Sequence, residues 1–511
     1  MMKGQTLKRI ALLLAVLTVF LMLNGCNKTD ETNGDATKAP AATEATDATA
    51  KPNGNSGTES SHEKVTLAIF SDVHYGEKLS PNATDGRELT DPEGKLRKAL
   101  DIYYQKAPDL DAICVAGDLT DNGKDEEYQV VTDIINSYIE KYNPDTKVLY
   151  TMGNHEFYKN GWGYGVGQLG ETQEYHDQFE LQTGSGYETD LEVGGIHILG
   201  FSPDDEIDAF APREEWLMEH IEAAAKESPD RPIILIGHKA IEGTVVGTDK
   251  ATKTYTDPQT KQKSEIRTGY CADWSDEFLE FLKDYPQIIY FSGHTHHLIS
   301  DPLSIHQEYI TSIQCGTMGS TTGFRDTSGF YERYGRSMGY LVTIDENNVV
   351  TIEKMNFTDE TTYGDPYVLD IPKIIEDRDA NFAYTDKRAE GSKPPVFGSD
   401  AKVEAICDDE SLTVKWTAAQ LADDDETSGF ILMYKIKIFD CDDEEYLVDY
   451  DAVPKRDYYS HYTPYYSSVI EDTLEEYLED ILFEGTQYRV EITAVTPFGA
   501  ESEPITCEFV C

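Results

Sequence analysis

The sequence predicts a layered α/β domain followed by a smaller all-β sandwich. From residue 65 onward, short apolar runs alternate with stretches of helical period, as expected where helices cover β-sheets. Small polar clusters directly follow several of these runs. Beyond residue 396 the pattern changes, and apolar and polar residues alternate in strand period. A chain of 511 residues has room for about three domains.

The N-terminus resembles a bacterial lipoprotein signal. Basic residues precede an apolar run of 14 residues, 10–23, which is shorter than the roughly 20 residues needed to span a bilayer. Residues 23–26, Leu-Asn-Gly-Cys, are similar to a lipobox, in which the cysteine, here Cys26, is acylated and becomes the new N-terminus after cleavage. We therefore expect a signal peptide over 1–26 and a lipid anchor on the outer side of the cell membrane. An ordinary signal peptide cut near Gly25 is the alternative.

Residues 27–63 are rich in Ala, Thr, Asp and Glu and contain almost no large apolar side chain. Such a segment cannot bury enough surface to fold, and it predicts a disordered tether. The tether would hold the folded part, which begins at residue 64, away from the membrane.

The composition is strongly acidic. Lys and Arg total 43 against 95 Asp and Glu, which gives a net charge of −52 at pH 7. Hydrophobic residues make up 39%, which is enough for packed domains, so we interpret the acidity as a solvated surface. This charge repels long polyanions, and a nucleic-acid partner is therefore disfavoured.

The cysteines do not form a C-x-x-C pair of the kind that indicates a metal site. Removing lipidated Cys26 leaves an odd number, which argues against a disulfide framework. Cys114 lies in an apolar run and is expected to be a buried free thiol. One bridge in the C-terminal region, for example Cys407 with Cys507, stays open. The eight cysteines stand at 26, 114, 271, 315, 407, 441, 507 and 511.

Apolar runs and helical spacing place the elements of the α/β domain, residues 64–373. Two stretches, 160–187 and 242–270, are polar and lack periodicity, so we expect loops that either wall a substrate cleft or are tolerated surface insertions. The predicted helices are 92–106, 126–142, 213–226 and 274–284. The predicted strands are 65–70, 111–116, 147–152, 196–201, 232–236, 287–291, 309–313, 339–344 and 349–355.

Five polar clusters stand just after apolar runs. Ligand groups gather beyond the carboxyl ends of strands in layered sheets, and glycine allows close backbone approach to a compact site. With His155 set aside as a free imidazole, the clusters offer two Asp, one Asn and four His as candidate ligands, which suits Mn, Fe or Zn and is too rich in imidazole for Mg or Ca alone. We expect two metals. The clusters are Asp72-Val73-His74, Gly117-Asp118, Gly153-Asn154-His155-Glu156, Gly237-His238 and Gly293-His294-Thr295-His296.

These clusters, in this order, resemble the blocks D-x-H, G-D, G-N-H-[DE], G-H and G-H-x-H of the calcineurin-like metallophosphoesterase superfamily. The resemblance covers about residues 65–355 and implies an α/β/β/α sandwich, with a hydroxide shared by two metals attacking a phosphomonoester or phosphodiester. It also implies the ligand set. Asp72, His74 and His296 would hold one metal, Asn154, His238 and His294 the other, and Asp118 would bridge them.

The same resemblance assigns the remaining catalytic roles. His155 would protonate the leaving group or bind the phosphoryl group, and Asp121 would orient His155; the other interpretation of Asp121 is a solvated turn residue before Asn122-Gly123. Purple acid phosphatases carry Tyr in place of Asp121, and protein phosphatases usually carry Arg in place of Asn122. The stretch 117–123 with Tyr128 is therefore most similar to a bacterial phosphodiesterase-like branch.

The C-terminal part divides into a linker, 374–395, and residues 396–511, which resemble a fibronectin type III domain. Trp416 and the strand-like stretch that contains Tyr488, its corner tyrosine, carry this resemblance. The aromatic cluster 457–466 would contact glycan or cell wall, or else pack on the sandwich.

Two functions remain in competition. The first is a hydrolase acting on a small phosphate ester, with phosphodiesters slightly favoured. The second is a cell-surface binding or adhesion protein that retains the metallophosphoesterase fold without turnover. All seven ligand positions and His155 are present, which favours the hydrolase.

Overall fold

The chain separates into two compact units, residues 1–59 and 60–511. The predicted signal peptide and tether lie almost wholly outside the described residues, and no described helix has the length and apolar character needed to cross a membrane. The computed structural model describes residues 62–76, 91–159, 172–203, 213–248, 252–256, 263–267, 271–272, 274–319, 321–322, 333–334, 336–408, 411–441, 458–460, 473–479 and 485–511.

The described elements are mostly short strands, with helices concentrated before residue 285. The helices are α1 (Pro92–Lys106), α2 (Asp125–Tyr142), α3 (Thr172–Thr183), α4 (Glu214–Glu227), α5 (Asp276–Leu282), α6 (Ile371–Glu376) and α7 (Arg378–Asn381). The strands are β1 (Val65–Phe70), β2 (Ala112–Ala116), β3 (Lys147–Thr151), β4 (Glu188–Val193), β5 (Ile196–Phe201), β6 (Ile233–Ile236), β7 (Ala240–Ile241), β8 (Thr252–Thr256), β9 (Lys263–Arg267), β10 (Cys271–Ala272), β11 (Ile288–Ser292), β12 (Ile305–Gln307), β13 (Thr311–Gln314), β14 (Thr321–Thr322), β15 (Arg333–Tyr334), β16 (Met338–Ile344), β17 (Val349–Asn356), β18 (Thr361–Thr362), β19 (Tyr367–Asp370), β20 (Val403–Asp408), β21 (Ser411–Thr417), β22 (Met433–Asp440), β23 (Tyr458–Ser460), β24 (Thr473–Glu479), β25 (Gln487–Val495) and β26 (Ile505–Val510).

Two sheets form the centre of the α/β domain. The first runs β18-β17-β16-β1-β2-β3, with β19 paired to β17, and the second runs β12-β13-β11-β6-β5-β4. Strands β1, β2 and β3 are parallel to one another, as are β5, β6, β11 and β13. Parallel strands of one sheet end at the same edge, which brings the segments that follow them together.

The side-chain alternation of β1 explains the layering. Leu67 and Ile69 point into a core shared with the second sheet, whereas Ala68 and Phe70 face α1 and α2. The outer face of the second sheet packs on α4 and α5. Every β1 residue is buried because both faces of the strand are covered. The predicted layered α/β architecture, helix on sheet on sheet on helix, is confirmed.

Two stretches predicted as loops contain regular structure. Residues 172–183 form α3, and β8 pairs with β9 as an antiparallel hairpin within 242–270. The prediction failed for α3 because its buried residues Tyr175, His176 and Phe179 lie among polar ones, so the apolar stripe is narrow. Residues 160–171 lie outside the described part of the chain.

The C-terminal residues form two small antiparallel sheets. One has the order β20-β21-β24 and the other the order β23-β22-β25-β26. Trp416 and Tyr488 are buried in their core. Most of the aromatic cluster 457–466 lies outside the described residues, apart from β23.

The predicted linker is ordered and attached to the α/β domain. It contains part of α6, all of α7 and a 3-10 turn at Asp386–Gly391. Arg388 donates to the carbonyls of Pro302 and Ile305, each at 2.6 Å, and its guanidinium lies 5.7 Å from the Phe498 ring of the C-terminal sheets. The linker therefore contacts both neighbouring parts.

The disulfide differs from the example pairing. Cys407 is bonded to Cys511, whose Cα lies 5.0 Å from that of Cys407, and Cys507 is a free thiol. Cys507 lies instead against the backbone of Ala405. Cys507 lies on β26 and Cys511 lies just beyond it. The sequence alone does not determine which of the two reaches Cys407. Cys114 is a buried free thiol, as predicted.

Candidate metal centre and active site

The predicted ligands all lie just beyond the carboxyl ends of strands. Asp72 and His74 follow β1, Asp118 follows β2, Asn154 follows β3, His238 follows β6, and His294 and His296 follow β11. Backbone hydrogen bonds join neighbouring segments: the Asp72 amide donates to Gly117 at 3.1 Å, and the Gly293 amide donates to His238 at 2.9 Å. Each bond connects two neighbouring loops at the edge of one sheet.

The first ligand group contains Asp72, His74, Asp118 and His296, each with one donor atom within 4.8 Å of the others. His296 Nε2 lies 3.0 Å from Asp72 Oδ1 and 3.0 Å from His74 Nε2. His74 Nε2 lies 3.7 Å from Asp118 Oδ2. The lone-pair-bearing atoms of four side chains therefore converge on one point.

The second ligand group contains Asp118, His238 and His294. His238 Nε2 lies 3.1 Å from Asp118 Oδ2 and 3.2 Å from Asn154 Oδ1, so the Asn154 amide also faces this group. Asp118 belongs to both groups. The structure thus assembles all seven sequence-predicted ligand residues as two adjacent sets with a common carboxylate.

The backbone at the site adopts an uncommon conformation. Seven described non-glycine residues have positive φ, and five of them are candidate ligands. L-residues enter this left-handed region at a cost, and such residues concentrate at functional sites. The five are Asp72 (54°), His74 (48°), Asp118 (51°), His294 (69°) and His296 (54°).

Glycine is required where these loops touch one another. A Cβ at Gly153 would overlap the Asp118 carboxylate, and a Cβ at Gly293 would overlap Ser71 Oγ and the Asp72 carboxylate. The atoms that these Cβ groups would meet cannot move aside, because Ser71, Asp72 and Asp118 are all buried. The glycines that open these two clusters therefore permit the close approach that the sequence predicted.

Charge is concentrated in the centre of the site. Asp72 and Asp118 are almost fully buried, and in the described part of the chain their charged partners are imidazoles. Burial alone raises the pKa of a carboxyl group, but His296 holds the pKa of Asp72 well below its usual value, and His238 does the same for Asp118.

The pKa values of the histidine side chains at the site shift in opposite directions. Burial lowers the pKa of His238, but the Asp118 carboxylate overcomes this and raises it to about 9. Burial also opposes protonation of His74, whose pKa is nevertheless raised by Asp121 and Asp72. The pKa of His294 is lowered by burial and by the nearby Lys239. His294 is therefore neutral, as a metal ligand must be.

These features fit a pair of divalent cations. Buried carboxylates require compensating positive charge, and the ring nitrogens of His74 and His296 face each other at 3.0 Å, as two ligands of one cation do. The donors are imidazole nitrogens, carboxylate oxygens and one amide oxygen, which suit Mn, Fe or Zn. The buried Asp/His cluster is able to bind a dinuclear metal centre.

His155 and Asp121 lie at the edge of the first ligand group. His155 Nδ1 lies 3.0 Å from the Asp121 carbonyl oxygen and 3.4 Å from Asp121 Oδ1, and the His155 amide donates to Asp118 Oδ1 at 2.9 Å. Asp121 Oδ1 is also 3.7 Å from His74 Nδ1. Asp121 thus contacts His155 through both its backbone and its carboxylate.

Glu156 has a structural role that the sequence did not reveal. Its buried carboxylate accepts hydrogen bonds from the amides of Gly153 (2.7 Å), Asp118 (3.0 Å) and Thr120 (3.0 Å). It joins the loops after β2 and β3, although burial raises its pKa. The available signal for this role was the position of Glu156, an acidic residue directly after His155 in a turn that is buried.

Helix α3 supports the same loops. Phe157 packs edge-on against Tyr175, with ring centroids 5.5 Å apart, and Gln178 Nε2 donates to the Gly123 carbonyl at 3.0 Å. His176 Nε2 lies 3.0 Å from the carbonyl oxygen of Pro203, which follows β5. One helix therefore braces three segments around the site.

The other described histidines have contacts outside the ligand groups. His297 is buried and lies against Gly247. His62 pairs with Asp230, His197 with Asp190, His220 with the Trp216 carbonyl and His306 with Asp386, while His461 lies outside the described residues.

Part of the α/β domain matches a known protein family. Residues 65–298 match the family described as calcineurin-like phosphoesterase. No curated protein matches the chain. Among solved structures, a purple acid phosphatase from yellow lupin (Lupinus luteus) seeds has 15% identity and a TM-score of 0.40, covering 60% of this chain and 54% of the lupin chain.

Two further solved structures are similar. A dimetal phosphatase from Danio rerio has 10% identity and a TM-score of 0.37 over 60% of this chain and 99% of its own. A calcineurin-like phosphoesterase from Bacillus subtilis has 15% identity and a TM-score of 0.28 over 61% of this chain and 91% of its own. The present chain spans about half the length of the lupin enzyme. Over residues 65–298, the α/β domain is therefore similar to calcineurin-like phosphoesterases.

Proposed function

We propose that the protein is a dinuclear metal-dependent hydrolase of phosphate esters that works outside the cytoplasm. The observation that carries the proposal is the position of Asp118, whose carboxylate belongs to both ligand groups. One carboxylate shared by two donor sets is the arrangement that holds two cations close enough to act on one phosphoryl group.

In this proposal, Asp72, His74 and His296 hold one cation, and Asn154, His238 and His294 hold the other. Asp118 is common to both. When bound, the cations supply Lewis acidity, which polarises the ester and lowers the pKa of water. The protein residues contribute orientation: the left-handed turns and the Glu156 carboxylate fix the donor atoms before substrate arrives.

His155 is proposed as the proton donor to the leaving group. Its Nδ1 faces the Asp121 carbonyl, which can only accept a hydrogen bond, so Nδ1 carries a proton. The second proton of the imidazolium form is then on Nε2, the atom that can transfer it. The Asp121 carboxylate, 3.4 Å from Nδ1, orients the ring.

The test uses the chain without residues 1–61, loaded with Mn. Metal content is measured together with hydrolysis of p-nitrophenyl phosphate and bis-p-nitrophenyl phosphate, for the wild type and for Asp118→Asn. Asp133→Asn, a change at an exposed helix residue bonded to Gln129, is the matched control. We expect two metals per chain and hydrolysis that Asp118→Asn abolishes and Asp133→Asn retains. A chain that binds no metal and hydrolyses neither ester would instead support the surface-binding function.

We propose a small soluble ester, with diesters favoured over monoesters, as the substrate. The net charge of −52 repels long polyanions at every point except near the cations. Asp121 stands where purple acid phosphatases carry Tyr, and Asn122 stands where protein phosphatases usually carry Arg. These two differences support the phosphodiesterase-like branch. Faster hydrolysis of the monoester than of the diester would reverse this preference, and rapid degradation of long DNA would exclude the small-substrate class.

We also propose that Cys26 carries a lipid that anchors the protein to the outer side of the cell membrane. The basic start, the apolar run and the lipobox-like residues 23–26 support it. Incorporation of labelled fatty acid into the wild type but not into Cys26→Ser would agree with the proposal. Unlabelled wild-type protein in the culture medium would favour an ordinary signal peptide.

The final proposal assigns residues 396–511 to a fibronectin type III-like domain that contacts cell wall or glycan. Its support is a three-stranded and a four-stranded antiparallel sheet, with Trp416 and Tyr488 buried. Co-sedimentation of the full chain with purified cell wall, compared with a chain that ends at residue 395, tests the contact. Equal sedimentation of the two chains would remove it.

A further inference from the structure

Tyr158 lies directly beside two residues of the site. It follows the 3-10 turn His155–Phe157, and its amide donates to the His155 carbonyl at 3.1 Å. This turn brings Tyr158 back to the side of Asn154, four residues earlier. The side chain is buried, with 9% of the residue exposed. Because the side chain is buried, its hydroxyl lies among protein atoms of the site.

The Tyr158 hydroxyl accepts a hydrogen bond from Asn154 Nδ2 at 2.9 Å. The opposite end of the same amide, Asn154 Oδ1, lies 3.2 Å from His238 Nε2, within the second ligand group. An amide has one end that donates and one end that accepts, and only the oxygen can bind a cation. The contact with Tyr158 holds the NH2 end of the amide on the side away from the second ligand group, so the oxygen faces that group.

The Tyr158 ring has a second contact. Its centroid lies 4.7 Å from that of His155, with the two planes inclined by 58°. The hydroxyl and the ring therefore touch different site residues. Replacing Tyr by Phe removes the contact with Asn154 and leaves the packing on His155, so the two contributions can be separated.

We propose that the Tyr158 hydroxyl is a positioning group for the second metal, because it locks the Asn154 amide with Oδ1 toward that cation. This inference rests on the proposed function, which places Asn154 among the ligands. Without the hydroxyl, the amide can rotate and present its NH2 group, which a cation repels. Outer partners of metal ligands typically contribute about 10- to 100-fold to metal affinity.

The experiment is calorimetric titration of the metal-free chain, lacking residues 1–61, with Mn²⁺. We expect two binding events in the wild type and a second event weakened about tenfold in Tyr158→Phe. Tyr150→Phe is the matched control, because the Tyr150 hydroxyl is buried and has no hydrogen-bond partner within the described residues. Its two affinities should equal those of the wild type. Thermal unfolding of each metal-free variant checks that the fold is retained.

Repeating the Tyr158→Phe substitution in the Asn154→Asp variant separates positioning of the amide from a general structural effect. In Asn154→Asp, the ligand is a carboxylate that presents oxygen in either orientation, so adding Tyr158→Phe should change the second affinity by less than about threefold. An equal tenfold loss in both backgrounds would show that the hydroxyl does not act through the amide and would overturn the proposal.

The remaining outcomes separate this inference from the proposed function. Two wild-type binding events with unchanged affinities in Tyr158→Phe would overturn the role of the hydroxyl alone. A wild type that binds one cation or none would contradict the proposed dinuclear function itself, and the Tyr158 inference with it.

Discussion

His155 Nδ1 lies against the Asp121 carbonyl, and the proposed role of the ring as proton donor gives a prediction about leaving groups. His155→Ala should retain both metals, because no ligand atom is removed. It should lower kcat by about 10²- to 10⁴-fold for alkyl phosphate esters, whose leaving alkoxide needs a proton. The loss should be much smaller for p-nitrophenyl esters, whose leaving group is stable as an anion. Equal losses for both esters would assign His155 to binding the phosphoryl group.

His238 gives a prediction about pH. The Asp118 carboxylate, 3.1 Å away, raises the pKa of His238 to about 9, so the metal-free protein carries a proton there at neutral pH. A cation must displace that proton. Affinity for the second cation should therefore rise with pH, by up to about tenfold per unit, and level off above about pH 9.

Calorimetry in buffers of different ionisation enthalpy measures this proton release directly. About one proton should leave as the second cation binds at neutral pH, and none should leave at a pH well above 9. A second affinity that does not change over this interval would show that His238 is already neutral when the cation arrives.

Individual ligands were predictable because residue type and position at a strand end are local properties of the sequence. His238 and His294 each follow an apolar run and a glycine, and both join the second ligand group. The supporting contacts were not predictable. Glu156 bonds to Asp118 and Thr120, which lie 38 and 36 residues earlier, and no local pattern encodes such a pairing.

At the scale of elements, α3 gives a prediction about the bracing of the site. Gln178→Ala removes the bond to the Gly123 carbonyl, two residues after Asp121, and should lower kcat several-fold without changing metal content. Gln173→Ala is a matched control on the same helix, because within the described part of the chain the Gln173 side chain donates to exposed Asp177 and has no bond to a site loop. Equal kcat values for the two variants would show that α3 does not hold the Asp121 loop.

The strands were easier to predict than the elements around the site. Strand β1 and helix α1 were predicted at their observed bounds. Strand β1 is a continuous apolar run and α1 has helical spacing over 15 residues, and both are strong patterns because covered strands and amphipathic helices produce them. Helix α3 and the β8–β9 hairpin were missed. The apolar residues of α3 pack on Phe157 beside the site and on Tyr128 of α2, so tertiary packing stabilises the helix more than any periodicity in its sequence.

For the whole molecule, the bond between Cys407 and Cys511 connects residues 104 positions apart and closes the C-terminal sheets. Cys511→Ser should lower the free energy of unfolding of this region by about 2–5 kcal/mol. Cys507→Ser, which changes a free thiol four residues earlier, is the matched control. Reductant should lower wild-type stability to that of Cys511→Ser and leave the variant unchanged, as followed by denaturant titration.

Phosphatase activity should not respond to this bond, because every candidate ligand lies between residues 72 and 296. Parallel losses of activity and stability in Cys511→Ser would show that the C-terminal sheets support the site. The pairing itself was not deducible from the sequence, because both Cys507 and Cys511 lie at the same end of the chain and only the path of β26 places the latter beside Cys407.

The left-handed backbone at five ligand positions has an evolutionary consequence. Each of these residues costs about 1–2 kcal/mol relative to a residue that enters this region freely. A lineage that abandoned phosphoester hydrolysis would gain stability by exchanging them for glycine or asparagine. Descendants that keep the fold only for adhesion are therefore expected to carry such exchanges at Asp72, His74, Asp118, His294 and His296.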